Sequence, residues 1–155
     1  MHRSENYDKK LCWICNRNLA NTGEHSIKNS VLKFLFGRGA QRLVKKKKSK
    51  KIHIQSTNSK HLKYDVICED CNTNFTSSYD RAHDKLFFYI VNNIDSIIKK
   101  PSIDLTKVFK NKEEIKDCYR YFVKVFGCGL YSGKIKLPSD IVACIRKKLS
   151  QANLD

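Results

Sequence analysis

The chain has 155 residues, 31 of them Lys or Arg against 15 Asp or Glu, and so carries a formal charge of +16 at neutral pH. A polyanion is the expected partner, because each phosphate contact releases counterions. The 41% hydrophobic content can support a core of its own. A spanning helix is excluded: the longest apolar stretch, 86–98, is broken by Asn92, Asn93 and Asp95, short of the ~18 apolar residues required.

The start, MHRSENYDKK, is polar and lacks the apolar run of a secretory signal, so the chain reads as soluble and cytoplasmic. Cys12-Trp13-Ile14-Cys15 then fits a tight knuckle, followed by an Asn- and Gly-rich loop over 16–23. From Ile27 the apolar positions 27, 31, 34 and 35 predict a short helix ended by Gly37 and Gly39. Glu24-His25 lies on the polar turn before it. Thr22 suits an N-cap there, and an acid suits the first helical turn.

Arg42, Lys45, Lys46, Lys47, Lys48, Lys50 and Lys51 make a basic run that reads as a solvated loop able to hold a phosphate backbone. The stretches 52–55 and 62–68 alternate or carry β-branched and aromatic residues, and predict a hairpin turning through 56–60. His53 and His61 flank that turn and read as phosphate-facing or simply exposed.

A helix is expected over 78–99, with Leu86, Ile90, Ile94 and Ile98 on one face, ending before Pro101. A second covers 112–126, carrying Ile115, Tyr119, Phe122 and Phe126, and 127–134 reads as a turn-rich connection. A last helix follows Pro138, capped by Ser139 or Asp140. The aromatics Phe87, Phe88, Tyr89, Tyr119, Tyr121, Phe122 and Phe126 have helical spacing and are read as core, although a base-stacking platform is the alternative. Cys118, Cys128 and Cys144 read as buried packing residues.

Seven cysteines is an odd count, which argues against a disulfide framework. Cys12, Cys15, Cys68 and Cys71 form two CxxC pairs instead, the spacing of a tetrahedral four-thiolate zinc site. Such a site is closed and structural, so any catalysis must lie elsewhere. If zinc joins the knuckles, Glu24, His25, Asn72 and Asp80 can lie close together. Carboxylate and amide oxygens suit Mg2+ or Mn2+, and an adjacent imidazole can deprotonate water.

In that order, CWIC, TGEHSIKNS and VICEDCNTNFTSSYD resemble the HNH endonucleases of the CxxC, EH, CxxCN subgroup, over about residues 12–86. The chain departs from the family pattern at Ser26-Ile27-Lys28, where Ile-Pro is common, and at Thr76, where glycine is usual. The resemblance implies an α+β fold, a zinc-stapled ββα-metal (His-Me finger) core over 1–86 with a helical extension over 87–155 packed on it. It implies DNA as substrate, His25 as general base, and Glu24, Asn72 and Asp80 as catalytic residues around one divalent ion. His83, one turn beyond Asp80, is a possible further ligand, a surface histidine being the commoner case. The alternative is a non-catalytic zinc-finger module that binds nucleic acid with the same basic surface. A third reading is a basic protein-interaction module.

Overall fold

The computed structural model describes residues 11–37, 43–47 and 49–151, with the side chains of 47 and 147–151 left aside. Mixed α and β structure is present, as expected. Two small antiparallel sheets precede a helical region. No described helix is long and apolar enough to cross a membrane.

The first sheet pairs β1 (Thr22–His25) with β4 (Lys63–Ile67), matching Thr22 to Ile67, Glu24 to Tyr64 and His25 to Lys63, with an irregularity between Thr22 and Glu24. Glu24-His25 therefore sits on a strand, which corrects the expectation of a helix start. Helix α1 begins only at Asn29 and has no acid in its first turn. Thr22 caps nothing; its hydroxyl accepts a hydrogen bond from Asn72 Nδ2 at 3.3 Å.

The second sheet pairs β2 (Leu43–Lys47) with β3 (Lys50–Ile54). The predicted hairpin between 52–55 and 62–68 is thus replaced by two different pairings, and the lysine run is a β-ribbon rather than a loop. Its foot is held by Ile54 and Leu43, which pack on Leu32 of α1 (Asn29–Phe36) and on Leu62.

After β4 comes a π-helical turn, Asp70–Phe75, and then α2 (Ser77–Asn92). The expected helix to residue 99 breaks at Asn93 into α2 and α3 (Ile94–Lys99), which leaves Ile94 and Ile98 exposed rather than on a core face. A short α4 (Leu105–Val108) was not predicted. Helix α5 (Lys112–Ser132) starts under an Asn111 cap, whose side chain accepts from the Glu114 amide, and continues through the segment expected to turn. Helix α6 (Ser139–Gln151) follows Pro138.

Helix α5 packs along α2 and across β4, with α6 against its other side. The main core joins both ends of the chain: Trp13, Ile14, Ile67 and Tyr79 meet Tyr121, Cys128 and Ile145. The Trp13 indole N–H donates to Cys128 Sγ at 3.2 Å, and Arg146 donates to the Ile14 carbonyl. Cys118 and Cys128 are buried as expected, and Cys144 is half-buried.

Helix α5 turns a different face inward from the one its aromatics predict. Cys118, Tyr121, Lys124, Gly127 and Cys128 are buried, whereas Tyr119, Phe122 and Phe126 are exposed. Gly127 lies flat against Trp13, and a Cβ there would fall 2.6 Å from Trp13 Cη2. Gly127→Ala is expected to destabilise by about 1–2 kcal/mol, since overpacking exceeds the ~1 kcal/mol of helix propensity gained. A lower urea midpoint at unchanged slope would show it.

Candidate metal centre and acid–histidine strand

The first knuckle closes because Asn16 adopts a left-handed conformation (φ 52°), common for asparagine, while its amide donates to the Cys12 carbonyl at 2.8 Å. The second knuckle is the end of β4 and the entry to the π-helical turn, where the Asn72 amide donates to the Cys68 carbonyl. Across this gap the sulfurs of Cys12, Cys15, Cys68 and Cys71 lie within 4.8 Å of one another, and those of Cys15 and Cys68 are 3.8 Å apart. A tetrahedral thiolate site with ~2.3 Å bonds has sulfur–sulfur edges of about 3.8 Å. The cluster can hold a metal such as zinc.

The surrounding donors suit thiolates. Asn18 Nδ2 points at Cys68 Sγ at 3.7 Å and the Cys71 amide at 3.5 Å. Without a metal, the Cys71 thiol hydrogen-bonds Cys12 and pushes its acidity to a value of about 5, while Cys71 is itself raised well above the ordinary thiol range.

Alternation along β1 sends Glu24 and His25 to opposite faces. Glu24 points inward, only 6% exposed, toward α2 and α5. There it meets Lys124, which is fully buried: Nζ lies 3.1 Å from Glu24 Oε2, 3.0 Å from both Asp80 carboxylate oxygens and 3.4 Å from Thr76 Oγ1. Lys28 flanks the group, donating to the Asp80 carbonyl at 2.6 Å and to Asp84 Oδ2 at 2.7 Å. Burial raises the Glu24 carboxyl above its ordinary range, the Lys124 ammonium pulls it back, and the Asp80 charge adds to the rise.

Thr76, where the resembling family has glycine, has φ −96° and so does not require one. Its buried hydroxyl donates to the Cys71 carbonyl at 2.9 Å and ties the knuckle to Lys124.

His25 Nε2 lies 3.1 Å from the Thr57 carbonyl. A carbonyl only accepts, so Nε2 carries the proton and Nδ1 the lone pair. Burial, with Lys63 and Lys33 nearby, lowers the His25 pKa, and the ring is neutral at neutral pH. Asn72 donates to the hydroxyl of Thr22, the first residue of β1. His83 packs its ring at 4.0 Å on Tyr121.

The structure therefore brings Glu24 and Asp80 together, but through an ammonium. A hydrated divalent ion wants several oxygens in open coordination. Glu24 and Asp80 instead share a sealed lysine, and the arrangement does not fit Mg2+ or Mn2+. Among the described residues the four cysteines are the group placed to bind a metal. Lys124 was missed by sequence reasoning. Its signal was present: it falls between Tyr121 and Cys128 on one helical stripe, a lysine at a core position.

The basic run is exposed at Lys45, Lys46, Lys50 and Lys51, with Lys45 Nζ donating to the His61 carbonyl at 2.7 Å. Lys46 faces Lys51 across the ribbon, and Lys47 faces Lys50. Like charges directly opposed destabilise a sheet. Arg42 and Lys48 lie outside the described residues.

Compared with protein-family models, curated proteins and solved structures, the chain matches none.

Proposed function

We propose that this protein is a zinc-stapled nuclease that grips a nucleic-acid backbone with the β2–β3 ribbon and hydrolyses a phosphodiester bond at His25. One observation carries the catalytic part: a neutral imidazole held on Thr57 by Nε2, with Nδ1 left as the basic nitrogen. The water oxygen attacks phosphorus as its proton passes to Nδ1, the P–O bond to the leaving oxygen breaks and that oxygen takes a proton from solvent, while the nearby Lys33 and Lys63 supply positive charge for the phosphorane. The resemblance of CWIC, TGEHSIKNS and VICEDCNTNFTSSYD to the HNH endonucleases adds DNA as the substrate class. No step runs through a divalent ion, because Lys124 holds the two carboxylates. Zinc is assigned to the four cysteines as a structural ion that fixes β1 and β4 relative to α2.

The second reading, a catalytically silent zinc module that binds nucleic acid, is favoured by the Glu24–Lys124–Asp80 group, in which the buried Lys124 ammonium occupies both carboxylates. A supercoiled-plasmid nicking assay, with and without Mg2+ or Mn2+, separates the two. His25→Ala is expected to bind DNA as wild type does and to lose about 10²- to 10⁴-fold in cutting rate. Because the imidazole pKa is lowered, the acid limb of the pH–rate profile falls below the ordinary value near 6.5. If both proteins bind with a steep salt slope and neither cuts, the silent-binder reading stands.

A further inference from the structure

A cleft of 740 Å³ runs between α1, α2 and α5, walled by Val31, His83, Phe87, Tyr121, Phe122 and Phe126. Its polar end is formed by Ser26, the residue after His25, and by Lys28. Phe122 and Phe126 are 51% and 59% exposed, on the aromatic stripe that α5 leaves outside the core. On α1, Phe34 is also exposed and meets Phe87 and Phe88 edge-on at 5.6 and 5.8 Å.

His83 also lines the cleft. Its Nδ1 is buried without a hydrogen-bond partner, and Asp84 Oδ1 at 3.8 Å is too far to serve. Lys28, the cationic residue of the lining, acts electrostatically on His83.

These features select an occupant that is planar, apolar on its faces, polar at its edge and joined to negative charge. A second copy of the chain carries +16 of its own and is repelled. A nucleobase on a phosphate strand satisfies every wall, since aromatic side chains stack any base. Paired bases cannot leave the duplex stack without a penalty, whereas an unpaired one enters freely.

We propose that this cleft seats an unpaired nucleobase, so that the nucleic acid this chain prefers is single-stranded. The proposal rests on the nucleic-acid reading above and narrows its substrate.

The test compares a mixed-sequence oligonucleotide carrying one 2-aminopurine with its duplex, using wild type, Phe126→Ala and Phe122→Ala/Phe126→Ala. Wild type is expected to prefer the single strand and to quench the probe. The double variant is expected to lose roughly ten- to a hundredfold in single-strand affinity, with the quench, while duplex affinity stays. Both rings are exposed, so circular dichroism and the melting temperature check that the fold is kept. Equal single-strand binding by wild type and double variant overturns the cleft and leaves the nucleic-acid reading standing. So does self-association of wild type that the double variant abolishes without loss of single-strand binding. If wild type binds neither form, both readings fall together.

Discussion

Replacing Lys124 with methionine is expected to cost about 3–5 kcal/mol and to lower the melting temperature by roughly 6–20 °C. The ammonium is fully buried and bonded to Asp80, Glu24 and Thr76. Its removal leaves the buried Glu24 carboxylate and the partly exposed Asp80 carboxylate with no cation between them. Breaking one partner of such a group is far worse than removing all of it, because the remaining charge keeps its desolvation penalty. The triple variant Glu24→Gln/Asp80→Asn/Lys124→Met is therefore expected to recover most of the loss, a non-additivity that a mutant cycle measures directly. In Lys124→Met the bare carboxylates gain a reason to bind a cation, so Mn2+ should raise its melting temperature and leave wild type unmoved. A Lys124→Met protein as stable as wild type would remove the electrostatic role assigned to this lysine. Equal stabilisation of wild type by Mn2+ would show that the acids are open to metal after all.

Cys68→Ser should have an even larger effect. The four sulfurs sit inside the main core, with Cys12, Cys68 and Cys71 buried beside Ile14, Ile67, Tyr79 and Tyr121. Metal binding in small zinc sites is worth an apparent ~10–16 kcal/mol, as much as the whole stability of a typical domain of about 5–15 kcal/mol. The variant is thus expected to lose its cooperative melt and to hold much less than one zinc per chain by elemental analysis. Chelation of wild type should reproduce the loss. Acidification should too, because protons compete for the thiolates. A Cys68→Ser chain with one bound zinc and a native melt would end the metal assignment.

What could be read from the sequence was local. Two CxxC pairs announce their cluster because ligand spacing is a property of a few adjacent residues. The starts of α2, α5 and α6 were legible for the same reason. Strand pairing was not, because register depends on partners far along the chain. Thr22–His25 is short and polar and carries no β signature, so only its pairing with Lys63–Ile67 makes it a strand. The ribbon was hidden by its lysines, although Val44, Ile52 and Ile54 were spaced for one. The aromatic stripe on α5 was a true helical stripe assigned to the wrong environment: periodicity shows which residues share a face, and packing decides where that face points. For Lys124, a core position was visible, but the carboxylates that make it tolerable come from β1 and α2. Glu24 and Asp80 were recognised as an acid pair, and a lysine as their counter-ion was not.

The knuckles also set what can vary. Cys15 and Cys68 bracket 52 residues, which include β1, α1 and the whole lysine ribbon, and the cluster brings the two ends of that excursion together. Once a metal closes the loop, its length adds little further entropic cost, since closure grows only slowly with residue number. The ribbon leans on its own small foot of Leu32, Leu43, Ile54 and Leu62, apart from the main core. It is a cassette clipped into a fixed frame, so changes in its length or charge are expected to leave the main core undisturbed.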